Sequence, residues 1–337
     1  MHNQEIYYGA PGTGKSRKVK DTLLAEVPQS NVFRVTIHPE FTYSDFIGQL
    51  LPEQTPGGVD FKFHRGPFTE ALVEAYADMS KEVFLVLEEL SRGNVAAIFG
   101  DIFQLLDRDE YFVSEYPVNN KSIAVELSQS TDEIKLPSNL NIIGTVNMND
   151  QNVFPMDTAF KRRFDWKYVS THPQVSSGTT SVNTKLNNPL IPINYSGAGG
   201  DFEVNWLSFY SALNKFITDK TDGLGKKEDK QLGQFFIKFS DQNIYNSNSD
   251  ITNNSAFTPI DKTNAQKSIV EMLRNKLLFY LWQDVQGVSG FGSSTSLFAD
   301  NVINFDTLYE NFGTSQVFSD DFLDKFLSGT DRKKYNY

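Results

Sequence analysis

Residues 9–16 read GAPGTGKS and fit the spacing G-x-x-x-x-G-K-[ST]. Glycines let such a loop turn back so that successive N–H groups point at a polyphosphate. A helix starting there would present its positive dipole end to the same anion. Gly9, Ala10, Pro11, Gly12, Thr13 and Gly14 would form the cradle, Lys15 would reach the outer phosphates, and the Ser16 hydroxyl would ligate an accompanying magnesium ion. The competing reading is a ligand-free, Gly-rich strand–helix turn. All fixed positions of the motif are present between a strand-like run at 5–8 and a helix-like run reaching about residue 27, which argues against it. The chemistry indicated is that of a nucleoside triphosphate, with ATP and GTP both open.

A second group of chemically capable residues lies far along the chain. The apolar run VFLVL at 83–87 ends in Glu88 and Glu89. Carboxylates at the carboxyl end of a buried parallel strand sit where α/β sheets bind ligands. Glu88 can hold magnesium and Glu89 can take a proton from an attacking water; a solvent-facing strand end is the plain alternative. The next apolar strand, LNIIGT at 140–145, leads to Asn147. A polar side chain there would lie beside the two carboxylates, placed to hydrogen-bond a lytic water or the terminal phosphate, with Asp150 placed to orient it. Asparagine after a strand is otherwise an ordinary turn residue. MDTAFKRRF ends in Lys161, Arg162 and Arg163. Those arginines can stabilise charge at a neighbouring subunit's nucleotide, or simply complement a helix carboxyl-terminus.

The elements that must position these residues follow from the hydrophobic pattern. Strands are expected at 5–8, 32–37, 83–87 and 140–145, with DWKYV as a fifth. Helices are expected at 67–79 and 95–106, and a small β insertion at about 50–66 interrupts a helical region that includes FTYSDFIGQL. Residues 107–138 read as a hairpin between core elements. Beyond a Ser/Thr/Asn/Gly/Pro-rich stretch at 171–200, helical patterns occupy 205–217 and 267–285, with a turn or short strand at LGQFFIKF, a polar loop at 240–262, and short helices near 305–311 and 318–327. The expected organisation is a large α/β nucleotide-binding subdomain at 1–172, a linker at 173–200 and a smaller, mostly helical C-terminal lid subdomain at 201–337.

At 337 residues, with 39% hydrophobic and 22% charged residues, the chain can bury two cores. There is no cysteine, which excludes disulfides and thiolate metal sites. No signal segment and no apolar run long enough to span a bilayer is visible, so a cytoplasmic protein without membrane contact is expected. A net charge of −11 argues against a whole-surface nucleic-acid binder but leaves room for a basic pore lining. The phosphate loop begins at residue 9, leaving these 337 residues no upstream recognition domain. Either the chain is an excised motor domain or target recognition lies elsewhere.

Several longer segments resemble the AAA+ motor domain of the McrB family, the NTPase subunits of modification-dependent restriction systems. They are HPEFTYSDFIGQL, the insertion ending GPFTEAL, EELSRGNVAAIFGDIFQLLD, GTVNMNDQNVFPMDTAFKRRF and, weakly, KQLGQFF. The resemblance runs from about residue 5 to 285 and is strong before 170. It implies a five-stranded parallel sheet flanked by helices, with a helical lid subdomain, in a homo-oligomeric ring, expected to be a hexamer, with nucleotide at subunit interfaces. It implies magnesium-dependent hydrolysis of ATP or GTP using Ser16, Glu88, Glu89 and Asn147, with Arg162 or Arg163 acting in trans. Arg92 and Asp150 fall on family positions that contact the site or its neighbour. A McrC-like nuclease subunit would dock on the ring, hydrolysis would drive DNA translocation, and DNA contact would be indirect or through the pore.

The sequence departs from the family pattern in three ways. Glu88 stands where aspartate is usual, and its extra methylene would push metal contact outward or through water. Asn147-Met148-Asn149-Asp150-Gln151 replaces Asn-Thr-x-Asp-Arg, so no arginine follows Asp150. No stretch of these 337 residues resembles the DNA-reading domain usually joined to the motor. A MoxR-like protein-remodelling ATPase, a nucleotide-assembled non-catalytic scaffold and a small-molecule kinase are the competing functions. The kinase has no use for the asparagine or the trans-acting arginines.

Overall fold

The structure is a computed structural model that describes residues 2–147, 154–174, 184–195, 200–248, 262–287 and 295–328. The chain divides into two units, one of Met1–Gly9 with Lys15–Val169 and one of Ala10–Gly14 with Ser170–Tyr337.

The first unit is built on a five-stranded parallel sheet. Its strands are β1 (Gln4–Gly9), β2 (Val32–Thr36), β5 (Val83–Glu88), β8 (Leu140–Asn147) and β9 (Asp165–Tyr168), in the order β2-β5-β8-β1-β9. Successive residues of β5 and β8 feed opposite faces. Leu85, Leu87 and Ile142 join Ile6 and Phe46 in one buried cluster, whereas Phe84, Val86 and Ile143 join Tyr7 and Val19 in another. A strand covered on both sides has no polar face to show, which is why VFLVL reads as an uninterrupted apolar run. Each such side chain, fully buried, contributes about 1.5–3 kcal/mol. Helix α1 (Lys15–Thr22) buries Val19 in the second of these clusters. Helices α2 (Tyr43–Ile47), α3 (Pro67–Ala77) and α4 (Val95–Phe99) contribute to the first.

The expected insertion is an antiparallel hairpin of β3 (Gly48–Thr55) and β4 (Gly58–Arg65). Its helix α2 is shorter than the pattern suggests. Gly48, at φ +126, turns the chain directly into β3, and a Cβ there would lie 2.4 Å from the His64 carbonyl oxygen. The helix expected at 95–106 also breaks. Gly100, at φ +48, ends α4, and a tighter 3-10 turn carries Gly100–Leu106. Residues 107–138 form a two-residue β pair, β6 (Val118–Asn119) with β7 (Glu133–Ile134), but helix α5 (Lys121–Glu126) lies between its strands. Asn120 caps α5 by accepting from the Ile123 N–H.

In the second unit, the stretch expected to be only a linker contains β10 (Leu190–Tyr195). It pairs antiparallel with β11 (Gly200–Asn205). Alternation of Ile191 and Ile193, both buried, with half-exposed neighbours explains the strand. Helix α7 (Trp206–Thr218) starts where Asn205 Oδ1 accepts from Ser208 N–H. Its Phe209 and Phe216 rings pack against Phe318, Phe322 and Phe326. The polar stretch expected as a loop after residue 240 begins with helix α8 (Asp241–Asn248). Helix α9 (Lys262–Lys276) covers the core with Ile269 and Leu273. No helix among the described residues is long and apolar enough to cross a membrane.

Candidate active site

In the first unit, the carboxyl ends of β1, β5 and β8 meet. Register pairs Gly9 with Asn147 and Leu87 with Gly144, so the start of the glycine loop, the two carboxylates and the asparagine share one edge of the sheet. Glu88 is the last residue of β5 and Glu89 follows it in the left-handed region, at φ 56 and ψ 39. A non-glycine residue held there costs about 1–3 kcal/mol and is characteristic of functional sites. The turn lets the Glu89 carboxylate meet the end of β8. Asn147 Nδ2 donates to both of its oxygens, at 2.8 and 2.7 Å. The Glu89 N–H donates to Thr145 Oγ1 at 3.2 Å, pinning the same corner.

Glu88 faces the other way. Ser16 Oγ donates to its Oε2 at 2.8 Å, Thr145 Oγ1 donates to the same oxygen at 2.5 Å, and Arg34 donates to Oε1 at 2.6 Å. Lys15 is buried and its Nζ donates to the Gly9 carbonyl at 3.1 Å. Burial pushes the Lys15 ammonium down to about 8, against the opposing pull of Glu89 and Glu88, which favours the charged form.

A divalent metal fits the donor set. Among the described residues no group of three or more His, Cys, Asp or Glu could hold an ion. Ser16 and Glu88 offer hard oxygens and leave the remaining positions to phosphate and water, as magnesium prefers.

The other candidate residues are placed as follows. Arg92 ends a short turn whose N–H donates to the Glu89 carbonyl at 2.9 Å, and its side chain is exposed. Arg162 is exposed and lies 4.0 Å from Asp107. Arg163 is almost fully buried, donates to Asp107 Oδ2 at 2.5 Å and to the Ala159 carbonyl, and stacks 4.2 Å over the Phe103 ring. Asp150 lies outside the described residues. Arg34 and Thr145 escaped the sequence reading. Arg34 is the single charged residue in an apolar strand, which is a signal of sorts, but nothing local ties it to Glu88, 54 positions away.

In the second unit, Ala10–Gly14 carries the rest of the loop. Gly12 and Gly14 have φ of +78 and +84, which explains glycine at both positions. Thr13 Oγ1 donates to the Ala10 carbonyl at 3.0 Å.

A parallel sheet with a glycine loop after its β1 strand, acidic residues at the carboxyl end of another strand and a polar residue at the end of the strand between them defines a phosphate-loop ATPase of the AAA+ class. Residues 6–164 match the AAA domain (dynein-related subfamily). YdiS, a component of the type II restriction enzyme BsuMI of Bacillus subtilis (strain 168), is 32% identical over 352 residues, covering 95% of this chain and 88% of its own. The EcoKMcrB subunit of the type IV methyl-directed restriction enzyme of Escherichia coli (strain K12) is 28% identical over 165 residues, 48% of this chain and 34% of that protein. The chain belongs to the McrB-type AAA+ ATPases of restriction systems.

Proposed function

We propose that the chain is the magnesium-dependent NTP-hydrolysing motor of a restriction system, acting on ATP or GTP as a homo-oligomeric ring, a hexamer, that moves DNA and activates a McrC-like nuclease subunit. The observation that carries the hydrolytic part is the pairing of Glu89 with Asn147 beside Gly9, the first residue of the phosphate loop. Glu89 takes the proton of the attacking water, and Asn147 orients the carboxylate and donates to that water or to the terminal phosphate. Ser16 and Glu88 would hold magnesium, which, when bound, would neutralise charge on the phosphate oxygens. Lys15 supplies the fixed cation at the outer phosphates. Arg162, exposed on the short helix α6 (Thr158–Lys161) and its end, reaches a neighbouring subunit's nucleotide.

The restriction role is supported by the two relatives, both components of restriction enzymes. The test is hydrolysis of ATP and GTP side by side, with particle mass measured without nucleotide and with each one. Magnesium-dependent phosphate release from one of them and a nucleotide-induced multimer are expected. Absence of hydrolysis with either, with and without DNA and a McrC-like nuclease subunit, would overturn the motor reading.

A further inference from the structure

The backbone of the loop is gripped by a second strip of backbone. The Gly233 N–H donates to the Pro11 carbonyl and the Phe235 N–H donates to the Gly12 carbonyl, each at 2.8 Å. The two strips are in contact without side chains between them. A Cβ on Gly233 would lie 2.1 Å from the Thr13 nitrogen, and a Cβ on Gly12 would lie 2.4 Å from the Phe236 Cα. Glycine is therefore required at 233 by approach, not by its own dihedrals.

The gripping strip is itself held on both flanks. Asn214 donates to the Leu232 carbonyl and accepts from the Leu232 N–H, both at 2.7 Å. The Gln234 carbonyl accepts from Trp206 Nε1 at 2.8 Å and Asn187 Nδ2 at 2.9 Å. The Gln234 side chain accepts from the Gln174 N–H at 2.8 Å. Trp206 and Asn214 belong to α7 and Asn187 is buried, whereas Gln174 contributes only its backbone from an exposed position. The two donors aimed at the loop are thus fixed before any ligand arrives.

We propose that residues 233–235 preset the phosphate nest, with Gly233 a positioning residue for nucleotide. In a trans peptide the C=O and the following N–H point in opposite directions. Holding the Pro11 and Gly12 carbonyls from outside therefore turns the Gly12 and Thr13 N–H groups inward. Thr13 Oγ1 donates to the Ala10 carbonyl as well, so three consecutive carbonyls, 10 to 12, are engaged. Without the clamp, a loop with Gly12 and Gly14 would sample other peptide orientations, and binding would have to select the competent one. The proposal rests on reading the loop as a nucleotide site.

The experiment compares the full chain with Gly233→Ala and Phe235→Ala, measuring affinity for ATP, GTP and inorganic tripolyphosphate. Gly233→Ala should weaken the preferred nucleotide and tripolyphosphate by the same factor, about tenfold or more, as expected for losing one charge-assisted hydrogen bond. Phe235→Ala keeps the N–H donor and should stay within about twofold. Loss of nucleotide but not tripolyphosphate affinity would mean that the segment serves the base, and would overturn the proposal. So would unchanged affinity for both. If Gly233→Ala does not fold, amide exchange in the wild-type chain decides. The Gly233 and Phe235 amides should be protected before nucleotide is added as well as after, and fast exchange beforehand would overturn presetting. Wild type that binds neither nucleotide would instead count against the nucleotide-site reading itself.

Discussion

The Asn147 amide donates to both carboxylate oxygens of Glu89, at 2.8 and 2.7 Å, although 58 positions separate the two residues. The pair joins the end of a central strand to a residue held in the left-handed region just beyond the next strand. Replacing Glu89 by Gln keeps the shape and removes the proton acceptor. Nucleotide binding should survive, while turnover falls about 10²–10⁴-fold, the usual worth of a positioned base. Near-normal phosphate release from Glu89→Gln would reject Glu89 as the base. Asn147→Ala should also bind nucleotide and turn over slowly, and its defect should add little to that of Glu89→Gln in the double variant, since the two act as a unit.

Lys15 should make binding sensitive to mildly alkaline pH. Its ammonium is pushed down to about 8 by burial, from 10.5. Between those values the unfolded chain holds more protons than the folded one, so the nucleotide-free fold gains stability as pH rises through that window. Nucleotide affinity moves the other way, falling as the cation is lost. Phosphate at the site draws the proton back, so binding just above pH 8 should take up a fraction of a proton. Titration calorimetry in buffers of different ionisation enthalpy reads this directly. Zero uptake would separate Lys15 from the phosphates.

The ion pair of Arg34 with Glu88, at 2.6 Å, would compete with the proposed magnesium for the same carboxylate. Arg34 is partly exposed, so solvent screens the pair and about 1 kcal/mol or less is at stake. Arg34→Ala should lower the magnesium concentration needed for half-maximal hydrolysis a few-fold. An increased requirement would show that Arg34 instead aims Glu88 at the metal.

The adjacent arginines should behave differently. Arg163 is tied to Asp107, Ala159 and Phe103 inside its own chain. Arg163→Ala should lower the melting temperature, losing about 1.5–3 kcal/mol for a hydrogen bond to a charged partner. Arg162→Ala should leave melting unchanged and reduce hydrolysis only in the assembled state. Mixing Arg162→Ala chains with Lys15→Ala chains should restore part of the activity. If mixed assemblies are confirmed by mass and remain inactive, Arg162 does not act across an interface.

Much of this protein could be read locally. The loop motif needs eight neighbouring residues to announce itself, and a strand buried on both faces announces itself by continuous apolarity. Both signals are short-range, and so β1, β5, β8 and the phosphate loop were legible, as were Glu88 and Glu89 at a strand end. Breaks at Gly48 and Gly100 were not. A glycine's positive φ is chosen by neighbours such as His64 and Tyr43, which arrive from elsewhere in the chain. Strand β10 was hidden for a related reason, because its partner lies across a turn-rich stretch whose composition resembles a linker.

Sequence alone determined the type of chemistry, since phosphate binding by a glycine loop depends on residues adjacent along the backbone. Tertiary structure decided which distant groups complete it. Strand order and register set Asn147 on Glu89 and Arg34 on Glu88, packing of segments outside the sheet sets Arg163 on Asp107, and a hydrogen bond is made by distance in space, whatever the separation along the chain.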